Sequence, residues 1–386
     1  MCQTYLMSTE TTMPACTLLF VLAGCSSTPS PSRALAPTAE IYDPAADAWQ
    51  RAGSPGSVGS FALTATLLSG GKVAVVGGNG QGHSAGAELY DAATGTWTRM
   101  EPLPAARHGH ASVLLADGRL LVVGGFNGAY LEDCETLDPR TLRWSPAARL
   151  AIARDRHTAT LLDDGRVLVA GGFTARGATA SVELYDTKSG RWTPALSMTT
   201  PRAYHTATLL SNGKVLVAGG ENGERPPPGD NLETAEIYDP QSGTWTGTGS
   251  LSMPHAYGQT ASLLAGATDA KEDRVFVAGG EGNSTAGDAP ALPTVEEYGS
   301  SRRTWRTLGP LASPRFFHTA TVLPDGKLLV TGGYDRNGES SALSSAELFD
   351  PGTGKWIPAA SMATARAHHA AVLLPDGKVL VIGGDH

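Results

Sequence analysis

RAYHTATLLSNGKVLVAGGENGERPPPGDNLETAEIYDPQSGTW, residues 202–245, is one unit of a pattern that runs through the chain. HTATLL (205–210) is followed by Ser211-Asn212-Gly213, then KVLVAGG (214–220), a polar loop, AEIYD (235–239), a turn and Trp245. Short apolar runs bounded by Gly, Asn, Asp and Pro read as β-strands, here four of them, A to D. Asn-Gly between two such runs predicts a two-residue hairpin turn with both residues at positive φ. Asp-Gly takes that place at 117–118, 164–165, 325–326 and 376–377. No segment of helical period separates the strands, which excludes a parallel α/β fold.

Working outward, Gly-Gly pairs fall at 77–78, 124–125, 171–172, 219–220, 279–280, 332–333 and 383–384, and the chain's seven Trp at 49, 97, 144, 192, 245, 305 and 356. The unit therefore recurs seven times at a period of about 50 residues. A four-stranded sheet cannot bury both its faces alone, whereas sheets stacked radially can. The expected fold is all-β, a seven-bladed β-propeller over 38–386. The first unit supplies only AEIYD and Trp49 (38–49), and the last only strands A and B (366–384). These halves complement each other, so the last blade is expected to close with N-terminal strands C and D against C-terminal strands A and B.

Gly-Gly, Glu-x-Tyr-Asp and Trp, with seven residues from Tyr or Phe to Trp in six units and Leu137 in the seventh, resemble the kelch repeat. The likeness covers 38–386. It is to the kelch domain of galactose oxidase-type proteins, without the catalytic part.

Net charge is −8 with no Lys/Arg-rich run, so no nucleic-acid partner is expected. Three of the four Cys lie in the first 25 residues, which leaves Cys134 alone in the repeats. Residues 14–24 are apolar but too short to span a bilayer. Leu22-Ala23-Gly24-Cys25 before SSTPSPS resembles a bacterial lipobox. The expectation is a lipoprotein-type signal peptide (1–24), lipidation at Cys25 and a Ser/Pro-rich tether (25–37). The protein would be a monomer at a bacterial cell envelope, lipid-anchored or secreted, touching membrane only through that anchor.

The D–A and B–C loops share one face of a propeller, and the uniform A–B and C–D turns share the other. Only blade 5 breaks that uniformity, with AGATDAKED at 265–273. On the loop face, the B–C loops after Gly220, Gly280 and Gly333 are longest and would wall one side. Variable loops on a rigid frame are where binding concentrates. The same face carries Arg-x-x-His at Arg107/His110, Arg154/His157, Arg202/His205, Arg315/His318 and Arg366/His369, with Gln259 and Leu63 at the His place in the other blades. The kelch resemblance implies a cationic ring of these arginines around the central funnel, suited to carboxylate, sulfate or phosphate. The histidines are candidate ligand contacts beside them. Glu40, Glu88, Glu135, Glu183, Glu236, Glu296 and Glu347 recur in every blade and read as structural.

HExxH, GxSxG and P-loop motifs are absent, and no catalytic residue, metal or cofactor is expected. The resulting expectation is a non-catalytic module that binds a protein or glycan. The alternative is an enzyme acting on a small sugar or acidic molecule at an Arg-lined funnel, mutarotase-like or oxidase-like. A copper-radical oxidase would need a Cys–Tyr pair and two His on the metal, with Cys134 the available cysteine.

Overall fold

Strand B of each blade is a run such as Leu120–Val123 in which all four side chains are buried. A strand buried on both faces needs cover above and below as well as hydrogen-bonded neighbours on each side. Strands A and C supply the neighbours, and the adjacent blades supply the cover. In the computed structural model, which describes residues 38–223, 231–264, 272–283, 289–335 and 341–385, this arrangement recurs seven times. The signal segment, the tether with Cys25, most of the exceptional blade-5 turn and the middles of the three long loops lie outside the described residues.

Each blade is a four-stranded antiparallel sheet in the order A-B-C-D. Blade 4 is typical, with Thr206–Leu209, Val215–Ala218, Ala235–Asp239 and Thr244–Gly247. The last blade joins Ala370–Leu373 and Val379–Ile382 to Ala39–Asp43 and Ala48–Arg51, with Tyr42 opposite both Val379 and Trp49. The expected closure is therefore the observed one.

The apolar core lies between blades. Ile41, Leu380 and Ile382 of the closing blade pack against Val73, Val75 and Tyr90 of blade 1. On the other side, Tyr42, Val379 and Val381 pack against Leu329 of blade 6. Each fully buried Val or Leu contributes about 1.5–3 kcal/mol. Every Trp indole N–H crosses to the loop that leaves the preceding blade, as from Trp97 to the Ala52 carbonyl at 2.7 Å and from Trp49 to that of Ala360 at 2.7 Å. The Gly pairs are needed where strand B meets the entry to the next blade. A Cβ on Gly171 (φ 63°) would lie 2.3 Å from the Arg202 carbonyl oxygen.

The A–B turns differ from expectation. Gly118 is at φ 86° while Asp117 stays at negative φ. Gly118 N–H donates to Leu115, and Leu115 N–H to the Arg119 carbonyl. This is a type I turn completed by a left-handed glycine, a three-residue loop. Asp117 Oδ1 accepts the Arg119 N–H at 3.0 Å, which is why Asp precedes Gly.

Candidate functional site

The five motif arginines do not ring the funnel. Arg107, Arg154, Arg202, Arg315 and Arg366 are each 0% exposed. Arg202 Nη1 donates to the carbonyls of Gly219 (2.7 Å) and Thr234 (3.1 Å), and Nη2 to Glu236 Oε1 (3.0 Å). Glu236 in turn accepts the Thr199 N–H. One guanidinium thus ties the end of strand B, the start of strand C and the incoming loop together. The same ion pair joins Arg107 to Glu135, Arg154 to Glu183, Arg315 to Glu347 and Arg366 to Glu40. The cationic ring expected from the resemblance is corrected on this ground, because these guanidinium groups are fully buried and ion-paired inside the blades.

Blade 5 solves the same problem with His255, fully buried, whose Nδ1 meets the Gly279 carbonyl at 2.6 Å and Nε2 meets Glu296 at 3.2 Å. Both ring nitrogens face acceptors, so the imidazole takes the place of the guanidinium between the end of strand B and the strand C glutamate. In blade 1, Glu88 accepts the Gly56 and Ser57 N–H groups directly.

The motif histidines form a ring of their own around the channel. Nε2 of His110 meets Thr64 Oγ1 of the preceding blade at 2.9 Å. His205 pairs with Thr158, His318 with Thr260 and His369 with Thr319. The pattern breaks twice. Leu63 faces the position of Ala370, and His157 faces that of Ala111, so His157 Nε2 has no hydrogen-bond partner among the described residues. Burial, followed by the nearby arginine charges, lowers the pKa of His157, His205 and His318 to about 3 and takes His110 and His369 well below the usual range. These are neutral rings.

The side chains that reach the funnel stand one residue before the motif histidine. There the backbone is left-handed in every blade: Ala62 (φ 53°), Gly109 (62°), Arg156 (52°), Tyr204 (53°), Gly258 (76°), Phe317 (53°) and His368 (54°). For a non-glycine residue this conformation costs about 1–2 kcal/mol. Glycine and alanine fill the position in three blades, so the fold does not require bulk there. Arg156, Tyr204 and Phe317 nonetheless wall a central cavity of about 280 Å³ above His110, His157 and His205. Strain carried by side chains that the frame does not need points to use.

Arg156 is the cation of this cavity. Its guanidinium lies 5.1 Å over the Tyr204 ring, and its nearest carboxylate, Asp155, is 3.9 Å away, beyond hydrogen-bond reach. It donates no hydrogen bond among the described residues. Asp155 is buried, with Oδ1 unpartnered among the described residues, and burial raises its pKa to about 6 against the partial offset of Arg156. Half-buried His108 stacks on His83 at 4.9 Å, and burial, Arg156 and His83 lower its pKa to about 4. Phe317 and His368, from adjacent blades, stack at 3.5 Å.

The sequence reading missed Arg156, Tyr204, Phe317 and His368. The signal was a variable position enclosed by a repeated Arg and a repeated His.

This geometry defines a repeat propeller whose recurring residues build the frame and whose variable residues line one mouth. The chain belongs to the kelch-repeat family. The KLHDC2/KLHL20/DRC7 Kelch-repeats domain matches residues 62–280 and the Kelch motif residues 315–363. Human Kelch-like protein 35 is 33% identical over 153 residues, 40% of this chain and 23% of the relative. Galactose oxidase of Gibberella zeae is 31% identical over 123 residues, 30% of this chain and 18% of the relative. The matched stretches thus span less than a quarter of these relatives' lengths. A fungal alcohol oxidase of the AA5 family, solved with copper, superposes with a TM-score of 0.65 at 21% identity. The match covers 84% of this chain and 74% of that one, a likeness of fold.

The residues present do not fit a copper centre of that kind. Cys134 is packed in an apolar cluster with Leu121, Val123, Leu150 and Tyr185, and its Sγ is 3.6 Å from the Glu132 carbonyl. Burial pushes its thiol up to about 12. Among the described residues no three His, Cys, Asp or Glu are grouped to hold a metal.

Proposed function

We propose that the protein is a recognition module that seats an acidic or carbonyl-bearing group of a protein or glycan in the central funnel, with Arg156 as its donor. One observation carries this reading. Of the arginines in and beside the Arg-x-x-His segments, Arg156 alone lines the funnel, and its guanidinium donors are unspent among the described residues. The strained backbone that aims it, and the aromatic wall of Tyr204 and Phe317, support the same reading. Guanidinium forks match carboxylates bidentately, and the cavity is at the small end of ligand sites, sized for one group rather than a long chain.

A metabolite and glycan binding screen on the full chain, repeated with Arg156→Ala, tests it. Loss of a charge-assisted contact of about 1.5–3 kcal/mol lowers affinity for the hits roughly ten- to a hundredfold, at unchanged melting temperature. Hits that bind Arg156→Ala as tightly as the parent would sink the proposal. The enzyme alternative rests on Asp155 beside Arg156, a carboxyl poised to exchange a proton near pH 6. The same hits serve to check it: conversion of a hit that stops in Asp155→Asn supports it, and no conversion by the parent removes it.

A further inference from the structure

Blade 3 departs from both ways in which the fold settles the place of the motif histidine. In four blades the imidazole Nε2 meets a threonine hydroxyl of the preceding blade, within 3.0 Å in each case. In blade 1 the pair is apolar, Leu63 facing Ala370. Blade 3 keeps the histidine and lacks the threonine: Ala111 heads its strand where Thr64, Thr158, Thr260 and Thr319 head theirs. The Val123 carbonyl is near enough to favour a charged ring, yet neither nitrogen of His157 completes a hydrogen bond among the described residues. His157 is 7% exposed and lines the funnel cavity together with Arg156.

A buried polar group left without a partner carries its whole desolvation penalty, and such a group calls for an explanation. Two more stable solutions stand in the same ring, so the frame does not require this one. We infer that the funnel binds a hydroxylated carboxylate, of which a sugar acid is the type, with its carboxylate on Arg156 and a hydroxyl on the His157 imidazole. The carboxylate contact rests on the reading of Arg156 given above, and the hydroxyl contact is independent of it.

The choice of hydroxyls follows from what the cavity offers. Burial, and then the Arg154 charge, keeps the His157 ring neutral, with one N–H and one lone pair. A hydroxyl answers either nitrogen, since it both donates and accepts. Gln259 lines the same cavity, its amide nitrogen bound to the Ala218 carbonyl at 2.9 Å and its Oε1 without a partner among the described residues. That oxygen only accepts, so the ligand must bring donors. An ammonium group has donors, but it would share one small cavity with the Arg156 guanidinium, like charge against like. Hydroxyls donate without charge, and a second one suits Gln259.

Titration calorimetry of the full chain tests this with D-glucuronate and D-galacturonate. Cyclohexanecarboxylate serves as the ring acid without hydroxyls, and D-glucose as the sugar without the charge. One uronate should bind about tenfold or more tightly than cyclohexanecarboxylate, as expected from hydrogen bonds to buried groups. Ala111→Thr restores the hydroxyl that four blades place against this ring. It should lower uronate affinity about tenfold, leave that of cyclohexanecarboxylate within about twofold, and not lower the melting temperature. His157→Leu copies Leu63 opposite Ala370; it should also keep the melting temperature and should abolish the preference for the uronate. Digalacturonate runs in parallel: tighter binding than the monosaccharide names a glycan end as the source, and weaker binding a free acid. Equal affinity for uronate and cyclohexanecarboxylate, no saturable binding of either uronate, or unchanged uronate affinity in either variant would overturn the inference. A uronate bound no more tightly than D-glucose, or equally well by Arg156→Ala, would count against the Arg156 reading instead. The two variants would then still report on the hydroxyl contact through D-glucose.

Discussion

A chain lacking Ala39–Arg51 is expected not to fold. Its removal strips strands C and D from the closing blade and leaves Val379–Ile382, a fully buried run, as an open apolar edge. Buried Ala39, Ile41 and Tyr42 go with it, and with them the apolar contacts that join this blade to both neighbours. Arg366 loses Glu40 and keeps a buried charge. Stranding one member of a buried pair costs about 3–5 kcal/mol, and each lost apolar side chain about 1.5–3. Total stabilities of about 5–15 kcal/mol do not survive that sum. Thermal unfolding followed by near-ultraviolet circular dichroism is the check. A cooperative transition at the parent temperature would refute closure by the N-terminal strands.

Acid is expected to unfold the protein well above the pH at which carboxylates titrate. The five channel histidines are neutral in the fold with lowered pKa values, about 3 for His157, His205 and His318. In the unfolded chain they titrate near 6.5. The unfolded state therefore binds more protons between pH 6.5 and about 3. The stability these rings contribute is complete above 6.5 and is lost as pH falls through that window. The loss is on the order of 1 kcal/mol per pH unit for each ring. Asp155, below about 6, and Glu135, whose pKa burial also raises, work in the opposite direction, two carboxyls against five rings. Urea midpoints should thus drop steeply between pH 7 and pH 5. His205→Gln copies Gln259, whose amide donates to the Ala218 carbonyl at 2.9 Å, and should reduce the slope by about one proton. A flat profile between pH 7 and 5 would contradict the account of the channel.

How much of this was legible in the sequence depended on repetition. Seven Gly pairs and seven Trp marked the blades because each blade faces the same steric problem at the strand B terminus and the same gap to its neighbour. The closing blade was legible because the half-units at 38–49 and 366–384 complement each other. The turn type was not, since Asp-Gly serves both a two-residue turn and a type I turn ending in a left-handed glycine. His255 escaped notice because Tyr257-Gly258 adds a residue between it and Gln259, four positions on instead of three. The site was misread for a deeper reason. A residue repeated in five blades has the same partner in five blades, and that partner is the blade itself: Arg202 binds Gly219, Thr234 and Glu236. A ligand on the axis breaks the sevenfold pattern, so the residues that meet it differ from blade to blade, as Gly109, Arg156, Tyr204 and Phe317 do. Periodicity hides such positions instead of marking them.

The division between framing and funnel arginines is most directly tested by phenylglyoxal labelling of the native protein, read out by mass spectrometry of its peptides. Arg140, whose side chain is 87% exposed, serves as the reference for an unhindered guanidinium. Arg156 should be labelled in the native state, and Arg107, Arg154, Arg202, Arg315 and Arg366 should stay unlabelled until the chain is unfolded. Labelling of any of these five at the rate of Arg140, or protection of Arg156 to their level, would contradict it.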